Sequence, residues 1–282
     1  MDLSIIVVSY NTRQALKECL ASIFAATANI SFEVLVVDNG SSDGSAAMVA
    51  SDFPSVRLMQ NKDNVGFARA VNYAIPRSLG RYILLLNSDT VVLNRATTKM
   101  VEFMDKEPEA WVAGCTLLNS DGSVQQSCDA FPRFDREVFN VLRVALQRRL
   151  RRTPLAKHLL RSPAVENSPK RVDLIQGSCF MLRRSVVERV GLFDENYFMY
   201  LEETDFCFRV RSCGGAVYYA PVGRVIHHMG GSWSGDTLGR RQRYWQSYLY
   251  FVRKHYGLPR RLPLELVCLL RLMILGFERG RQ

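Results

Sequence analysis

The sequence lacks several patterns that would place it in a common class of protein. Its seven cysteines form no CxxC pair and are odd in number, which argues against a zinc ribbon and against a disulfide scaffold. Neither a GxGxxG fingerprint nor a Walker loop is present. Acidic Asp2 stands where a signal peptide would carry basic residues. We therefore expect a cytoplasmic protein with reduced thiols, whose function depends on other motifs.

A long apolar run is also missing. The last apolar stretch, residues 262–277, contains Pro263, Glu265 and Arg271, and it is shorter than the roughly 20 apolar residues of a membrane span. Arginines beside leucine and methionine suit a helix that lies on a membrane surface. They suit a helix packed on the domain equally well, and the sequence leaves both open.

Basic residues are abundant. The 282 residues carry a net charge of +10, and 48% of them are hydrophobic, which is enough for a full core. The excess charge is concentrated in residues 143–171, where Glu166 is the single acid, and in the tail after Gly239. Such clusters favour anionic partners, either nucleic acid or an acidic lipid leaflet, or else form a solvated face.

Strand and helix patterns alternate in the first half of the chain. Buried strands are indicated at residues 3–9, 32–37, 56–59 and 82–86. Helices are indicated at residues 13–24, with Thr12 as the cap, 46–51 and 67–79. The second half is less regular, with strand patterns at 111–118, 172–182 (broken at Gly177), 216–220 and 224–227. The alternation predicts an α/β fold with a parallel sheet.

Polar residues follow the predicted strands at their carboxyl ends. Ser9, Tyr10 and Asn11 follow the first strand, Asp38 follows the second, and Asp89 follows the fourth. Ligands of open parallel sheets bind at this edge. The coincidence predicts a nucleotide-type site.

An acidic cluster lies inside an apolar and aromatic segment at residues 198–210. Glu202, Glu203 and Asp205 fall within four positions. Because acidic side chains are seldom buried unpaired, the cluster indicates cation binding or proton transfer. The alternative is a helix start, where acids are favoured in the first turn.

Five motifs in this order carry a resemblance to a known family. They are VVSYNT (7–12), VVDNGSSDGS (36–45), NVGFARAVN (64–72), LLLNSDT (84–90) and FMYLEETDFCFR (198–209). Together they closely resemble the family 2 glycosyltransferases of GT-A fold, and most of all the bacterial rhamnosyltransferase-like enzymes of cell-surface polysaccharide assembly. The resemblance covers roughly residues 3 to 235.

The resemblance implies a Rossmann-like, mainly parallel sheet flanked by helices, with a C-terminal helical extension. We divide the chain into a GT-A domain at 1–238 and a basic, apolar extension at 239–282. The first domain would consist of a nucleotide-sugar-binding half, 1–118, and an acceptor-binding and catalytic half, 119–238, which includes the basic insert 143–171.

The implied activity is an inverting transfer of a sugar from a nucleotide diphosphate to an acceptor hydroxyl. On the donor side, Asp38 would accept the N3 proton of uracil or thymine, with Ser9 and Tyr10 lining the same pocket. Asp38 as a cap of its turn and Arg69 as a surface residue are the structural alternatives. The further implied donor-binding residues are Asn11, Asn64, Gly66, Arg69, Asn87, Ser88 and Gly177.

A divalent cation, Mg²⁺ or Mn²⁺, is implied as a cofactor. Asn87-Ser88-Asp89 stands where the family carries an Asp-x-Asp motif, and the asparagine leaves Asp89 as the firm carboxylate ligand. The family pattern His-x-Gly-Gly-x-Ser aligns with His228, which would be a second ligand or touch the diphosphate. We expect His227 to face the core and the glycine segment after His228 to form a lid.

The catalytic residues implied by the family pattern Glu-Asp-x-Asp are Glu202, Glu203 and Asp205. Glu203 aligns with the general base, Glu202 would orient the acceptor or take the same role, and Asp205 would support the helix. Implied partners are a dTDP- or UDP-linked sugar, with dTDP-rhamnose favoured by the subgroup, and a glycan or lipid-linked acceptor.

Two other functions remain to be weighed. A nucleotidyltransferase that makes sugar nucleotides would carry a glycine-rich phosphate loop after the first strand, where Ser9 to Thr12 stand instead. A nucleic-acid binder is suggested by the arginine clusters, but these lie outside the motifs. We expect no nucleic-acid partner, and the basic stretches favour docking of a cytoplasmic protein at the inner face of an anionic membrane.

Overall fold

The computed structural model describes residues 1–139, 167–228 and 237–279. Two compact units divide the chain, one of Met1–Ala130 with Val165–Ser234 and one of Phe131–Ala164 with Gly235–Gln282. The predicted basic insert up to residue 166 and the predicted glycine lid lie outside the described residues. The division of the chain at residue 238 therefore stays a prediction.

The first unit contains twelve strands within its described residues. They are β1 (Leu3–Ser9), β2 (Phe32–Asp38), β3 (Arg57–Gln60), β4 (Tyr82–Asn87), β5 (Thr90–Leu93), β6 (Ala110–Leu118), β7 (Val124–Gln125), β8 (Cys128–Asp129), β9 (Lys170–Val172), β10 (Leu174–Ile175), β11 (Cys179–Arg183) and β12 (Ala216–His227). Its helices are α1 (Arg13–Ala26), α2 (Ser45–Asp52), α3 (Phe67–Ala74), α4 (Ala96–Lys106), α5 (Arg184–Val190) and α6 (Glu202–Ser212), with a 3-10 turn at Ile75–Arg77.

The main sheet has the strand order β3-β2-β1-β4-β11-β6-β12-β5. The first four strands are parallel to one another. Strand β11 then runs antiparallel to both β4 and β6, and β12 runs parallel to β6. The α/β sheet predicted from the alternating pattern is confirmed, with the parallel strands concentrated in the first half.

The core explains why β1 reads as a continuous apolar run. Leu3, Ile5 and Val7 join the core cluster that includes Leu16 and Leu20 of α1. Ile6, which points to the opposite side of the strand, is buried as well. A strand covered on both faces is mainly apolar along its whole length, because side chains on both sides are removed from water.

The second unit contributes the predicted C-terminal helices, α7 (Thr237–His255) and α8 (Leu258–Arg279). Tyr248 and Phe251 of α7 are buried, as are Leu264 and Cys268 of α8. Arg253 donates to the Glu265 carboxylate from a Nε–Oε1 distance of 2.5 Å. None of the helices within the described ranges has the length and apolar character to cross a membrane.

Candidate active site

The sheet register brings the predicted donor-side residues to one edge. Ser9 of β1 is paired with Asp38 of β2, and Val8 is paired with Asn87 of β4. Parallel strands in register end at the same level, so Ser9, Asp38 and Asn87 lie side by side at the carboxyl edge.

Asp38 presents a buried carboxylate oxygen at this edge. Its Oδ2 accepts a hydrogen bond from the Ser41 backbone N–H at 3.1 Å. Its Oδ1 is buried and has no hydrogen-bond partner among the described residues. An unsatisfied buried carboxylate oxygen is costly unless a ligand donates to it, so Asp38 both braces its turn and offers an acceptor.

Buried hydroxyl groups link the end of β1 to the turn between β4 and β5. Ser9 Oγ lies 2.9 Å from Thr12 Oγ1, and Thr12 Oγ1 donates to Ser88 Oγ at 2.9 Å. The Thr12 side chain therefore makes no cap bond to α1, although Thr12 does precede that helix. The hydroxyl groups of Ser9 and Ser88 are engaged inside the protein.

Asn11 supports the loop that follows β2. Its Oδ1 accepts the Ser42 backbone N–H at 2.8 Å, and its own N–H donates to Ser41 Oγ at 2.9 Å. Asn11 adopts a left-handed backbone with φ of 51°. The neighbouring Tyr10 is half-buried. These contacts shape the loop that carries Asp38.

Asn39 is a buried hub that sequence reasoning missed. Its Nδ2 donates to Asn64 Oδ1 at 2.9 Å and to the Gly66 carbonyl at 3.2 Å. Its Oδ1 accepts from Asn61 Nδ2 at 2.9 Å. The predicted donor-binding residues Asn64 and Gly66 are therefore held in place by the loop that carries Asp38.

Gly66 brings this loop against the acidic segment. Its φ is +86°, and an added Cβ would lie 2.5 Å from the Phe198 carbonyl oxygen, so no other residue fits. The next residue, Phe67, donates its N–H to that same oxygen at 2.9 Å. Arg69, also predicted to bind the donor, is largely exposed and lies 3.5 Å from Glu195.

The histidine ring that faces Asp89 is that of His227, whereas the sequence predicted His228. The distance from His227 Nε2 to Asp89 Oδ1 is 3.4 Å. We expected His227 to face the core; instead, its Nδ1 lies 2.9 Å from Gln125 Oε1. The predicted ligand His228 donates its backbone N–H to the Asp89 carbonyl, while its imidazole Nδ1 lies 2.7 Å from Ser120 Oγ.

Gln125 holds the His227 ring in place. Its Nε2 donates to Asn119 Oδ1 at 3.1 Å, and its Oε1 lies 2.9 Å from His227 Nδ1. Asp89 Oδ1, which His227 Nε2 faces, is buried and has no hydrogen-bond partner among the described residues. A carboxylate oxygen and an imidazole nitrogen that face each other in this way are both potential ligands of a cation.

A complete metal cluster is not preformed. No group of three or more histidine, cysteine or acidic side chains that could hold a metal ion occurs within the described ranges. One carboxylate, supplemented by phosphate oxygens and water, is a common arrangement for Mg²⁺. The donor set around Asp89 therefore fits a cation that arrives together with a diphosphate.

The acidic motif begins helix α6 from a strained backbone. Tyr200 and Leu201 adopt left-handed conformations, with φ of 70° and 66°, which cost about 1–3 kcal/mol each in residues with a Cβ. Glu202 and Glu203 are the first two residues of the helix. The segment is held in an unfavourable conformation directly before the two glutamates.

Burial raises the pKa of both glutamates. The pKa of Glu203 rises to about 7 because desolvation outweighs the backbone N–H groups of the helix start. The pKa of Glu202 rises well above its ordinary value through burial and through repulsion from Glu203. Glu202 Oε2 is buried without a hydrogen-bond partner in the described part of the chain. Both groups are therefore weaker acids than an exposed glutamate, and Glu203 titrates at about pH 7.

Gly177 lies between the acidic motif and the carboxyl edge of the sheet. A Cβ added at Gly177 would lie 3.9 Å from Cβ and Cγ of Glu203, so the Glu203 side chain passes directly over this glycine. The next residue, Ser178, accepts the Asn87 backbone N–H at its carbonyl oxygen. Glu203 therefore contacts the residue next to the one that bonds to the end of β4.

Asp205 supports the helix. Its side chain is fully buried and accepts a hydrogen bond from Arg209 Nε at 2.8 Å. Arg209 also donates to the carbonyl groups of Val190 and Leu192. The pair ties α6 to the end of α5.

The fold is that of the GT-A glycosyltransferases. The structure of a mannosyltransferase from Pyrobaculum calidifontis, solved with GDP-Man and Mn²⁺, superimposes with a TM-score of 0.61 at 18% identity, covering 97% of this chain and 72% of that chain. GalNAc-T7, solved with UDP, GalNAc and Mn²⁺, gives 0.61 at 15% identity, covering 100% and 57%. The family model for glycosyl transferase family 2 matches residues 4–191, and the chain belongs to that family.

Two relatives are rhamnosyltransferases by name. The N-acetylglucosaminyl-diphospho-decaprenol L-rhamnosyltransferase of Mycobacterium tuberculosis is 29% identical over 268 residues, covering 90% of this chain and 85% of that protein. Rhamnosyltransferase WbbL of Escherichia coli is 28% identical over 148 residues, covering 52% of each. The resemblance to rhamnosyltransferase-like members of the family is confirmed.

Proposed function

We propose that this glycosyltransferase moves rhamnose from dTDP-rhamnose to an acceptor hydroxyl, with inversion, in the synthesis of a cell-surface polysaccharide or glycolipid. The observation that carries the transfer is Glu203, a carboxyl group with a pKa near 7 that lies over Gly177 beside the donor edge. The choice of sugar is supported by the names of the two relatives.

Asp38 is the proposed reader of the base. Its unsatisfied Oδ1 would accept the N3 proton of thymine or uracil, which present the same edge there. Tyr10 and the loop of Asn64 and Gly66 would complete the donor site, with Asn39 holding that loop. This contact accommodates dTDP and UDP equally, so the sugar and the remaining pocket would decide between them.

Asp89 is the proposed carboxylate ligand of Mg²⁺ or Mn²⁺, with His227 or His228 beside it. The geometry adds His227 to the sequence prediction of His228, because His227 Nε2 faces the carboxylate directly. A bound cation would offset the negative charge that develops on the leaving diphosphate. Asn87 would support the site, with its Nδ2 lying 3.4 Å from His227 Nε2.

Glu203 is the proposed general base. Its ionised carboxylate would take the proton of the acceptor hydroxyl as that oxygen bonds to the anomeric carbon. The bond between the anomeric carbon and the diphosphate oxygen breaks on the opposite face, and its electron pair leaves with the nucleoside diphosphate. Glu202, whose pKa is raised well above its ordinary value and whose Oε2 is buried, would orient the acceptor. The position of Glu203 over Gly177 favours Glu203 over Glu202 as the base.

The proposed acceptor is a glycan or a lipid-linked glycan at the cytoplasmic face of a membrane. The mycobacterial relative is named as an N-acetylglucosaminyl-diphospho-decaprenol L-rhamnosyltransferase, which describes a lipid-linked acceptor. The tail beyond Gly239 carries seven arginines before residue 272, which suits a surface of anionic lipid.

A panel of sugar nucleotides tests the proposal. The protein is incubated with dTDP-rhamnose, UDP-sugars or GDP-mannose, with Mg²⁺ or Mn²⁺, while its thermal stability is measured. We expect dTDP-rhamnose to give the largest rise in melting temperature. A larger rise with another sugar nucleotide, or consumption of nucleoside triphosphates, would contradict the proposal.

A further inference from the structure

The solvent-facing side of helix α8 is apolar. Seven of its side chains are between 44% and 63% exposed: Leu258, Leu262, Leu266, Leu269, Leu270, Met273 and Ile274. Successive residues of an α-helix are rotated by roughly 100°, so these positions share one side of the helix. Leu264, Cys268 and Leu275 on the opposite side are buried.

This distribution is the reverse of an ordinary surface helix, which turns its polar residues to water. From residue 258 to residue 276, the outer side carries proline and glycine besides the seven apolar side chains, and no charged residue. The apolar strip extends about 24 Å along the helix. A contiguous apolar surface of this size marks an interaction site.

Basic residues flank the apolar strip. Arg260 is exposed beside its start, and the Arg271 guanidinium lies 5.7 Å from the centre of the Trp245 ring at its edge. Helices α7 and α8 together contain nine lysine or arginine residues and two glutamates. Glu265, one of the two, bonds to both Arg253 and Arg261.

We propose that the outer side of α8 docks in the interface of an anionic lipid bilayer. An apolar strip with basic flanks enters the headgroup region with its side chains in the acyl boundary and its cations among the lipid phosphates. A second copy of the chain is the poorer occupant, because pairing of like surfaces brings the same basic flanks together. The inference deepens the proposed function, since it names the surface that would hold the enzyme at a lipid-linked acceptor.

Vesicle sedimentation of the full-length protein tests the docking and needs no sugar transfer. The vesicles are phosphatidylcholine alone or equal parts of phosphatidylcholine and phosphatidylglycerol. We expect sedimentation with the anionic vesicles, and an affinity at least about tenfold lower for the triple variant L266Q/L270Q/M273Q. The matched control is Leu79→Gln, which changes an exposed leucine of the first unit and should bind vesicles as the wild type does.

Equal binding by the triple variant and the wild type would overturn the proposal. Loss of all vesicle binding by the wild type at ~0.5 M NaCl would overturn the proposal as well, because electrostatic attraction alone would then account for the binding. A wild-type dimer that the triple variant converts to a monomer, without vesicle binding by either, would assign the strip to a second copy. Nucleotide binding by the triple variant is measured in parallel. Normal nucleotide binding would show that a change in vesicle binding is independent of the proposed donor site.

Discussion

The Glu203 side chain passes over Gly177 at ordinary van der Waals distance, 3.9 Å from where a Cβ would stand. The residue after Gly177 is Ser178, whose carbonyl oxygen accepts the backbone N–H of Asn87 at the end of β4. The Glu203 carboxyl group, whose pKa is raised, therefore lies close to this edge of the sheet. The acidic motif and the carboxyl edge of the sheet, which are far apart in the sequence, are therefore close together at Gly177.

Gly177→Val should displace the Glu203 side chain. The added methyl groups would enter the space of a neighbour at 3.9 Å, so we expect kcat to fall at least about tenfold with a smaller effect on donor affinity. Gly177→Ala, whose Cβ makes only an ordinary contact, should lower kcat far less. Steady-state kinetics of both variants measures this, and equal effects of Ala and Val would contradict the steric account.

The rate of transfer should depend on pH through Glu203. Burial raises the pKa of this acid from 4.5 to about 7, and a base acts only when deprotonated. We therefore expect kcat/KM to rise with pH below about 7 and to level off above it. The measurement is a pH profile with thermal stability monitored at each pH. A flat profile, or a rise centred near 4.5, would remove Glu203 from the role of base.

Asp205→Asn should destabilise the fold without touching the chemistry. The carboxylate is fully buried and Arg209 pairs with it, so its loss leaves an uncompensated cation and should lower the free energy of unfolding by about 3 kcal/mol. Denaturant unfolding measures the effect. The matched control is Asp52→Asn, which breaks an exposed pair with Lys17 and should lower the free energy of unfolding far less. Equal losses of stability in the two variants would contradict the larger contribution of the buried pair.

The two histidines should differ in metal-dependent donor binding. Asp89→Ala should abolish the gain in affinity that Mn²⁺ gives, since it removes the carboxylate ligand. His227→Ala should reduce that gain by about tenfold, and His228→Ala should reduce it less, because only the His227 ring faces Asp89. Calorimetric titration with and without Mn²⁺ measures this. The reverse order would restore His228 as the ligand.

Strands with a continuous apolar pattern were predictable from the sequence alone. The strand predicted at 3–9 is observed as Leu3–Ser9, and the strand predicted at 32–37 is observed as Phe32–Asp38. Helix α4 escaped prediction because its cap position is held by Arg95 in a left-handed conformation, and arginine is not a capping residue. Two strands were predicted, at 216–220 and 224–227. The structure has the single strand β12, whose pairing with β6 shifts register between Tyr219 and Arg224.

The sequence singled out candidate site residues where an acid stands beside apolar neighbours, as Asp38 and Glu203 do. Their roles stay predictions. Asn39 did not stand out, because an asparagine in a turn is ordinary and its importance comes from partners about 25 positions away. His227 was taken for a core residue because Ile226 precedes it on a strand; its contacts with Gln125 and Asp89 depend on how distant segments pack.

The most direct test of the account is the transfer rate of Glu203→Gln. The amide keeps the shape of the side chain over Gly177 but cannot take a proton. We predict a single-turnover rate at least about a hundredfold below wild type, with donor affinity within about twofold. Near-normal turnover by the folded variant would contradict the assignment of Glu203 as the base.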